Sequence, residues 1–186
     1  MSDNNLQNII QNVANENSAS KKQAEEIAQI IVFELDKEEY ALKITDLREI
    51  ISLPTITPIP NAPEFIRGIF NLRGKIVVIV DLEKRFNFKK DDSIISKHVI
   101  ITEVNGNDFG VVVDEVKEVL RVPVSSIKPT PQLISSKIHA EYLSGVIVFD
   151  SDSGSGSRII VLLDLPKLLE DKELLDLGSA IKQTTK

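Results

Sequence analysis

The sequence predicts a mainly β protein, in which two small five-stranded barrels pack together. A helix is expected near the C-terminal end and a loose or helical leader at the N-terminal end. Three observations support this fold class. The chain repeats itself, its apolar runs are short, β-branched and separated by turn residues, and two of these runs are apolar at every position. Five short strands per repeat favour a closed or nearly closed barrel, because an open sheet of that size leaves costly edges.

The internal repeat extends over most of the chain. The matching stretches of the first and second copy are 39–54 with 108–123, 65–69 with 142–146, and 75–82 with 158–165. Most differences between the copies preserve the chemical class of the residue, and the first of these matches contains no gap. Two copies predict two similar modules, and the places where they differ are where one copy has become specialised.

The N-terminal residues differ in composition from the rest. Residues 1–28 are rich in Asn, Gln, Ser, Lys and Glu, which predicts a flexible leader. A thin apolar stripe with helical spacing lies at Leu6, Ile9, Ile10 and Val13. Ser20 and Gln23 also have the spacing of a capping box, which would start a short helix that runs into Ala28.

Ten strands follow from the apolar runs. They are expected at 30–35, 40–44, 47–53, 65–70 and 75–80 in the first copy and at 99–104, 109–113, 116–122, 142–149 and 158–163 in the second. Residues 76–80 and 159–163 are apolar throughout, so both faces of these strands must be covered. One face belongs inside its own barrel, and the other barrel covers the second face. The barrels should span about 29–90 and 97–165.

Each copy ends in Asp-Leu followed by a helical pattern. Asp81 and Asp164 are therefore predicted to be helix N-caps, with a paired-carboxylate site as the alternative. The apolar face that predicts the C-terminal helix consists of Leu168, Leu169, Leu174 and Leu175. With Pro166 in its first turn, this helix should cover 166–177 and complete one domain over 29–176, leaving 178–186 as a tail.

Charge and composition exclude several classes of function. The formal net charge is −6 and the pI is about 5.1, which argues against nucleic acid or an anionic membrane surface as a partner. The absence of cysteine excludes disulfides, thiolate catalysis and Cys-based metal sites. No secretory signal pattern and no apolar run of about 18 residues is present, so a cytoplasmic protein without direct membrane insertion is expected.

Catalytic patterns are weak. His98 and His139 have no acid at a diagnostic spacing, and no nucleophile elbow is present. The Ser/Gly-rich residues 151–157 lack Gly-Lys-Ser/Thr and precede a strand, which favours a flexible loop over a phosphate cradle. A small-ligand or phosphate-binding protein that uses Asp81, Asp164 and this loop remains the rival hypothesis. No enzyme activity, metal or cofactor is predicted.

The two copies differ most at one connection. Where the second copy has the loop 151–157, the first has the compact hairpin turn Asn71-Leu72-Arg73-Gly74. Arg73 should be held at the head of this turn, where a fixed guanidinium can bind backbone carbonyls or a carboxylate. Two roles are open for Arg73: contact with a partner, or stapling of the two barrels.

The same region carries a family resemblance. The stretch Phe65-Ile66-Arg67-Gly68-Ile69-Phe70-Asn71-Leu72-Arg73-Gly74-Lys75-Ile76-Val77-Val78-Ile79-Val80-Asp81-Leu82 resembles the signature of the bacterial chemotaxis coupling proteins, the CheW family. Glu39-Tyr40-Ala41-Leu42 and Glu141-Tyr142-Leu143-Ser144-Gly145 resemble the same family, so the likeness covers about 29–175. It implies two intertwined SH3-like barrels and a non-enzymatic adaptor that links chemoreceptors to the histidine kinase CheA.

The resemblance also implies binding residues. The helical hairpin tip of the receptor would lie in a groove between the modules, near Arg73, Asn71, Gly74, Ile44, Leu47 and Ile50. The kinase would contact Glu49, Arg67 and Gly68. Core packing is the alternative for the three aliphatic residues, and ordinary surface charge for Glu49 and Arg67. A free-standing adaptor fits the chain length better than the related kinase or CheV types, and a non-flagellar chemosensory pathway is the alternative output.

Overall fold

The computed structural model describes residues 25–88, 95–132, 138–149, 157–170 and 172–184. The strands are β1 (Ile27–Leu35), β2 (Glu38–Lys43), β3 (Glu49–Ser52), β4 (Ile66–Leu72), β5 (Lys75–Asp81), β6 (His98–Val104), β7 (Asn107–Val113), β8 (Glu115–Pro123), β9 (Leu143–Phe149) and β10 (Arg158–Leu163). The α-helices are α1 (Leu82–Arg85), α2 (Leu165–Leu169) and α3 (Lys172–Thr184), and short 3-10 helices cover Ile44–Asp46, Val124–Ser126 and Ala140–Tyr142. Within this described part, no helix has the length and apolarity that a membrane span requires.

All ten predicted strands are present, and they form two five-stranded sheets. Sheet A has the order β8-β1-β2-β10-β9, and sheet B has the order β3-β6-β7-β5-β4. Each sheet therefore takes strands from both copies, so two consecutive barrels over 29–90 and 97–165 do not describe the strand pairing. The intertwined arrangement that the family resemblance implied is the one observed. Strands of one copy can occupy equivalent positions in the sheet of the other copy because the two copies have similar sequences.

The hydrophobic core has three layers. A shared core lies between the sheets, while a sheet A core and a sheet B core fill the inner side of each curled sheet. β5 alternates between layers, with Val77 and Ile79 in the sheet B core and Val78 and Val80 in the shared core. β10 alternates in the same way between the sheet A core and the shared core. This alternation confirms the prediction that the barrels pack along these two strands. Ile159, at 49% exposure, is the exception.

Two glycines allow the same close approach in each copy. Gly68 has φ +141°, and a Cβ there would lie 2.2 Å from the carbonyl oxygen of Thr57. Gly145 has φ +150°, and its Cβ would lie 2.7 Å from the carbonyl oxygen of Lys128. In both copies an incoming segment bridges to the edge strand beside the glycine. Only glycine combines this backbone conformation with the space that the segment occupies.

The N-terminal boundary differs from the sequence prediction. The expected helix does not reach Ala28, because β1 begins at Ile27 and Ala28 lies opposite Val122 of β8. The β-branched and apolar residues that follow Ala28 gain more from the sheet than a short capped helix would provide. Ser20 and Gln23, and the rest of residues 1–24, lie outside the described residues.

The C-terminal helical region also differs from the prediction of one helix over 166–177. It consists of α2, in which Pro166 occupies the first turn as expected, and α3, which continues to Thr184. Gly178 does not end the helix but packs against β7, where a Cβ would lie 3.0 Å from Cγ of Asn107. The expected tail from 178 onward is therefore largely helical. Leu168, Leu169 and Leu174 are buried in the shared core, so α2 and α3 close its end.

Candidate protein-interaction site

The hairpin between β4 and β5 turns through Arg73 and Gly74. Their φ angles are +52° and +87°, and a two-residue turn with both angles positive is the type I′ turn that matches strand twist. The Asn71 side-chain oxygen accepts a hydrogen bond from the Gly74 N–H at 2.7 Å, which fixes the turn from one side. A Cβ on Gly74 would meet nothing within 4 Å, so glycine is favoured here for conformation and not for space.

Arg73 projects from this turn and is paired with a carboxylate. Its Nη1 and Nη2 donate to the two carboxylate oxygens of Glu49 at 3.2 and 3.0 Å. The Arg73 side chain is nevertheless 78% exposed, against 29% for Glu49. Because β3 and β4 are the two edge strands of sheet B, the pair links the edges of one curled sheet. Arg73 therefore does not staple the two sheets together through this ion pair.

The three predicted aliphatic contacts lie in different environments. Ile50 follows Glu49 on β3 and is 37% exposed, but its side chain lies on the strand face opposite to that of Glu49. Leu47 is partly buried and packs against the shared core. Ile44 leaves the sheet, because the chain turns into the 3-10 helix Ile44–Asp46 where the sequence predicted the end of a strand. The three aliphatic residues therefore lie in different environments, and their contact with a receptor stays a prediction.

Ile44 lines a groove of about 430 Å³, here called the Ile44 groove. The groove lies where the start of β1, the end of β2 and the 3-10 helix after β8 meet. Its lining residues are Glu26, Ile27, Ala28, Gln29, Lys43, Ile44, Thr45, Val124 and Ile127. Ile27 and Val124 are 49% and 40% exposed, so an apolar floor faces solvent. Sequence reasoning had not predicted this groove, because residues 124–127 are distant in sequence from β1 and β2.

The predicted kinase contacts do not form one cluster. Arg67 and Gly68 lie near the start of β4, about 17–20 Å along the strand from Arg73 at roughly 3.3 Å per residue. The Arg67 Nη1 is 4.0 Å from the Asp81 carboxylate, and Gly68 is buried against Thr57. Glu49, the third member of the set, instead contacts Arg73. The structure therefore joins one predicted kinase residue to the predicted receptor site.

An equivalent cluster in sheet A centres on Arg158. Its guanidinium donates to both carboxylate oxygens of Glu39, at 2.6 and 2.9 Å, and to Glu118 at 2.7 Å. The hydrogen bonds from Arg158 lower the pKa of Glu39, although partial burial acts in the opposite direction. Hydrogen bonds to Glu39 and Glu118 raise the pKa of Arg158 in turn. Sequence reasoning did not identify this cluster; the repeat alignment, which pairs Glu118 with Glu49, contained the signal.

The carboxylates of the rival ligand-binding hypothesis have a structural explanation. Asp81 accepts a hydrogen bond from the Lys84 N–H at 3.2 Å, and Asp164 accepts one from the Lys167 N–H at 3.1 Å. Both are helix N-caps, as predicted. Among the described residues, no group of His, Asp and Glu is arranged to hold a metal ion. The loop 151–157 lies outside the described residues except for Ser157.

Comparisons with known proteins agree with this architecture. The family model of the CheW-like domain matches residues 29–173. The chain is 33% identical over 156 residues to the chemotaxis protein CheW of Treponema pallidum, covering 81% of this chain and 87% of that protein. It is 34% identical over 161 residues to the chemotaxis protein CheW of Klebsiella aerogenes, covering 84% and 91%.

A solved structure shows the same likeness in three dimensions. The crystal structure of the scaffolding protein TtCheW from Thermoanaerobacter tengcongensis matches with a TM-score of 0.69 at 36% sequence identity. The match covers 82% of this chain and 94% of the other. The likeness to CheW proteins therefore extends over most of the chain in both sequence and fold.

Proposed function

The chain belongs to the CheW-like family, and on that premise we propose that it is a non-enzymatic adaptor that couples chemoreceptors to the histidine kinase CheA. The receptors are of the methyl-accepting chemotaxis type, and the adaptor works on their cytoplasmic side. The observation that supports a receptor contact most strongly is the exposed guanidinium of Arg73, held at the tip of a fixed turn by Glu49.

The receptor contact is proposed to centre on the β4–β5 turn. An arginine has five N–H donors, and the two hydrogen bonds to Glu49 leave others directed to solvent. These donors suit the carbonyls or carboxylates of a helical hairpin, and the preformed pair with Glu49 reduces the entropy lost on binding. Asn71 and Gly74 shape the turn, and Ile50 offers an exposed apolar side chain on β3, the strand that carries Glu49.

Two further residues complete the proposed receptor surface. Ile44 contributes through the Ile44 groove, where an amphipathic helix can place an apolar side chain. Leu47 has less accessible surface, since it packs against the shared core, and supports the loop that carries Ile44. Its proposed contribution is therefore smaller than that of Ile50.

The kinase contact is proposed to use Arg67, Gly68 and Glu49. Arg67 is 35% exposed beside Asp81, which leaves its guanidinium accessible. Gly68 contributes the shape of the backbone, since its buried position leaves no room for a side chain. Because Glu49 holds Arg73, a substitution of Glu49 is expected to affect receptor binding as well. The same contacts serve a non-flagellar chemosensory pathway equally well.

The test is to titrate the full chain with a receptor cytoplasmic fragment, with CheA, and with both together. Binding to each, and a ternary complex, are the expected results. Failure to bind either partner, or mutual exclusion of the two, would contradict the adaptor function. The purified chain should also show no ATP hydrolysis, and turnover that disappears in Asp81→Ala would favour the rival ligand-binding hypothesis.

A further inference from the structure

The Ile44 groove is an apolar surface that the described part of the chain leaves uncovered. Its floor combines Ile27, Ile44, Val124 and Ile127 from three different parts of the fold. The equivalent of Ile44 in the second copy is Val113, which is fully buried in the shared core. Ile44 belongs to none of the three cores, because the 3-10 helix carries it out of the sheet. An apolar position that one copy buries fully is therefore only partly buried in the other.

The leader joins the described structure at the rim of this groove. Glu25 and Glu26 precede β1, and the Val124 N–H donates to the Glu26 carbonyl at 2.8 Å. The Ser125 hydroxyl donates to the Glu25 carboxylate at 3.0 Å. The chain before Glu25 therefore starts beside Val124, on the wall of the groove.

The leader contains an apolar stripe that fits such a groove. Leu6, Ile9, Ile10 and Val13 have the i, i+3, i+4, i+7 spacing of one helix face. The eleven residues 14–24 connect this stripe to Glu25 and reach at most about 36–40 Å, so the stripe can fold back onto the groove. A short tether of this kind gives an effective concentration of roughly millimolar, which suffices for a weak helix-in-groove contact.

We propose that the apolar stripe of residues 6–13 docks into the Ile44 groove of the same chain. Docking covers Ile27, Ile44 and Val124. Ile44 is then buried by apolar side chains of the leader, as the equivalent Val113 is buried by the shared core. The proposed function places Ile44 in the receptor-binding surface, so the docked leader would compete with the receptor. This second part of the inference rests on the proposed function. The leader then lowers receptor affinity until the receptor displaces it.

The contact can be tested in the full chain by paramagnetic NMR. The chain has no cysteine, so Asn12→Cys provides a unique site for a spin label. We expect the label to broaden the methyl signals of Ile44, Val124 and Ile127 and to leave those of Ile79 and Ile101 in the sheet B core sharp. The double substitution Ile9→Asp with Ile10→Asp should abolish the broadening. The matched control Asn8→Asp with Asn15→Asp, on the opposite helix face, adds the same charge and should preserve it.

Two results would overturn the docking proposal. One is the absence of selective broadening at the groove. The other is broadening that occurs only between molecules, which would mean that a second copy of the chain occupies the groove. This is detected by mixing spin-labelled chain without isotopes with isotope-enriched chain without a spin label. Competition is read separately with the receptor fragment, which should bind the Ile9→Asp with Ile10→Asp chain roughly threefold tighter if the leader covers the groove about two-thirds of the time. If the label broadens the groove signals but the receptor affinity is unchanged, the leader does not compete with the receptor. If the receptor fragment binds no variant at all, the proposed function is contradicted, but the docking result still holds.

Discussion

Sheet A and sheet B carry equivalent carboxylates that are paired with different basic residues. In sheet A, Arg158 at the start of β10 pairs with both Glu39 and Glu118 and is 38% exposed. In sheet B, Lys75 at the start of β5 reaches Asp108 at 3.6 Å, and the turn residue Arg73 pairs with Glu49. The two carboxylates that Arg158 alone binds in sheet A thus have equivalents in sheet B that bind different cations, and Asp108 also accepts a hydrogen bond from Arg48 at 2.9 Å.

A further ion pair is common to both sheets. Lys117 lies 2.8 Å from Glu34 in sheet A, and the equivalent Arg48 pairs with Glu103 of sheet B. Since this pair is present in both sheets, it belongs to the fold that the copies share. The additional feature of the first copy is the 78% exposed guanidinium of Arg73. The arginine of the sheet A cluster is therefore partly shielded, whereas the arginine that links the edge strands of sheet B is largely exposed to solvent.

The largest expected effect comes from the feature that both copies share without change. Gly68→Ala places a Cβ 2.2 Å from a backbone oxygen at a strongly positive φ, and should lower the free energy of unfolding by about 3 kcal/mol or more. Gly74→Ala, which meets no atom, should cost about 1 kcal/mol from its positive φ alone. Thermal melting compares the two variants. Equal losses would contradict the steric role given to Gly68.

Arg158→Met should cost roughly 1–2 kcal/mol at neutral pH, because it leaves Glu39 and Glu118 without their shared cation. The equivalent Lys75→Met should cost about 0.5 kcal/mol, since Lys75 is 64% exposed and its pair is longer. Denaturant unfolding of both variants measures the difference. A loss for Lys75→Met that equals the loss for Arg158→Met would contradict the assigned roles.

The cost of Arg158→Met should depend on pH with a defined sign. Arg158 lowers the folded-state pKa of Glu39 below its ordinary value of 4.5, so the pair stabilises the fold above that pH. The stabilisation is lost as the pH falls through the folded-state pKa. The difference in unfolding free energy between the parent chain and Arg158→Met should therefore shrink between about pH 5 and pH 3. A difference that grows on acidification would contradict this assignment.

The smallest stability effect is expected at Arg73. Because its pair with Glu49 is largely solvent-exposed, Arg73→Ala should change the free energy of unfolding by less than about 0.5 kcal/mol. Circular dichroism melting measures this change, with Arg158→Met as the comparison. A loss as large as that of Arg158→Met would show that Arg73 closes sheet B as Arg158 closes sheet A.

The strands were predictable from the sequence because each is a short β-branched run bounded by turn residues. The N-caps Asp81 and Asp164 were predictable for a similar reason, since capping depends on residues only three positions apart. The pairing of strands between the two copies was not predictable from the strand pattern, because it depends on long-range contacts that this pattern does not encode. Ile44 was assigned to a strand because it continues the alternation of β2, and only the 3-10 helix breaks that alternation.

The candidate site was predictable only in part. The hairpin turn over 71–74 followed from the turn preferences of Asn and Gly, and the structure has it, whereas the positive φ of Arg73 did not follow from its residue type. The partner of Arg73 did not follow, since Glu49 lies on the opposite edge strand of the same sheet. The Ile44 groove depends on residues from three distant segments, so no local pattern could indicate it. Whether the nine predicted binding residues contact their partners stays a prediction.

The central claim is that Arg73 binds the receptor whereas Arg158 holds the fold together. The most direct measurement is the affinity of a receptor cytoplasmic fragment for Arg73→Ala, with the affinity for CheA and a melting curve measured on the same sample. Loss of one or two charge-assisted hydrogen bonds predicts receptor binding about tenfold weaker or more, with CheA affinity and melting temperature nearly unchanged. An unchanged receptor affinity with an intact fold, or an equal loss for both partners with a lowered melting temperature, would contradict the claim.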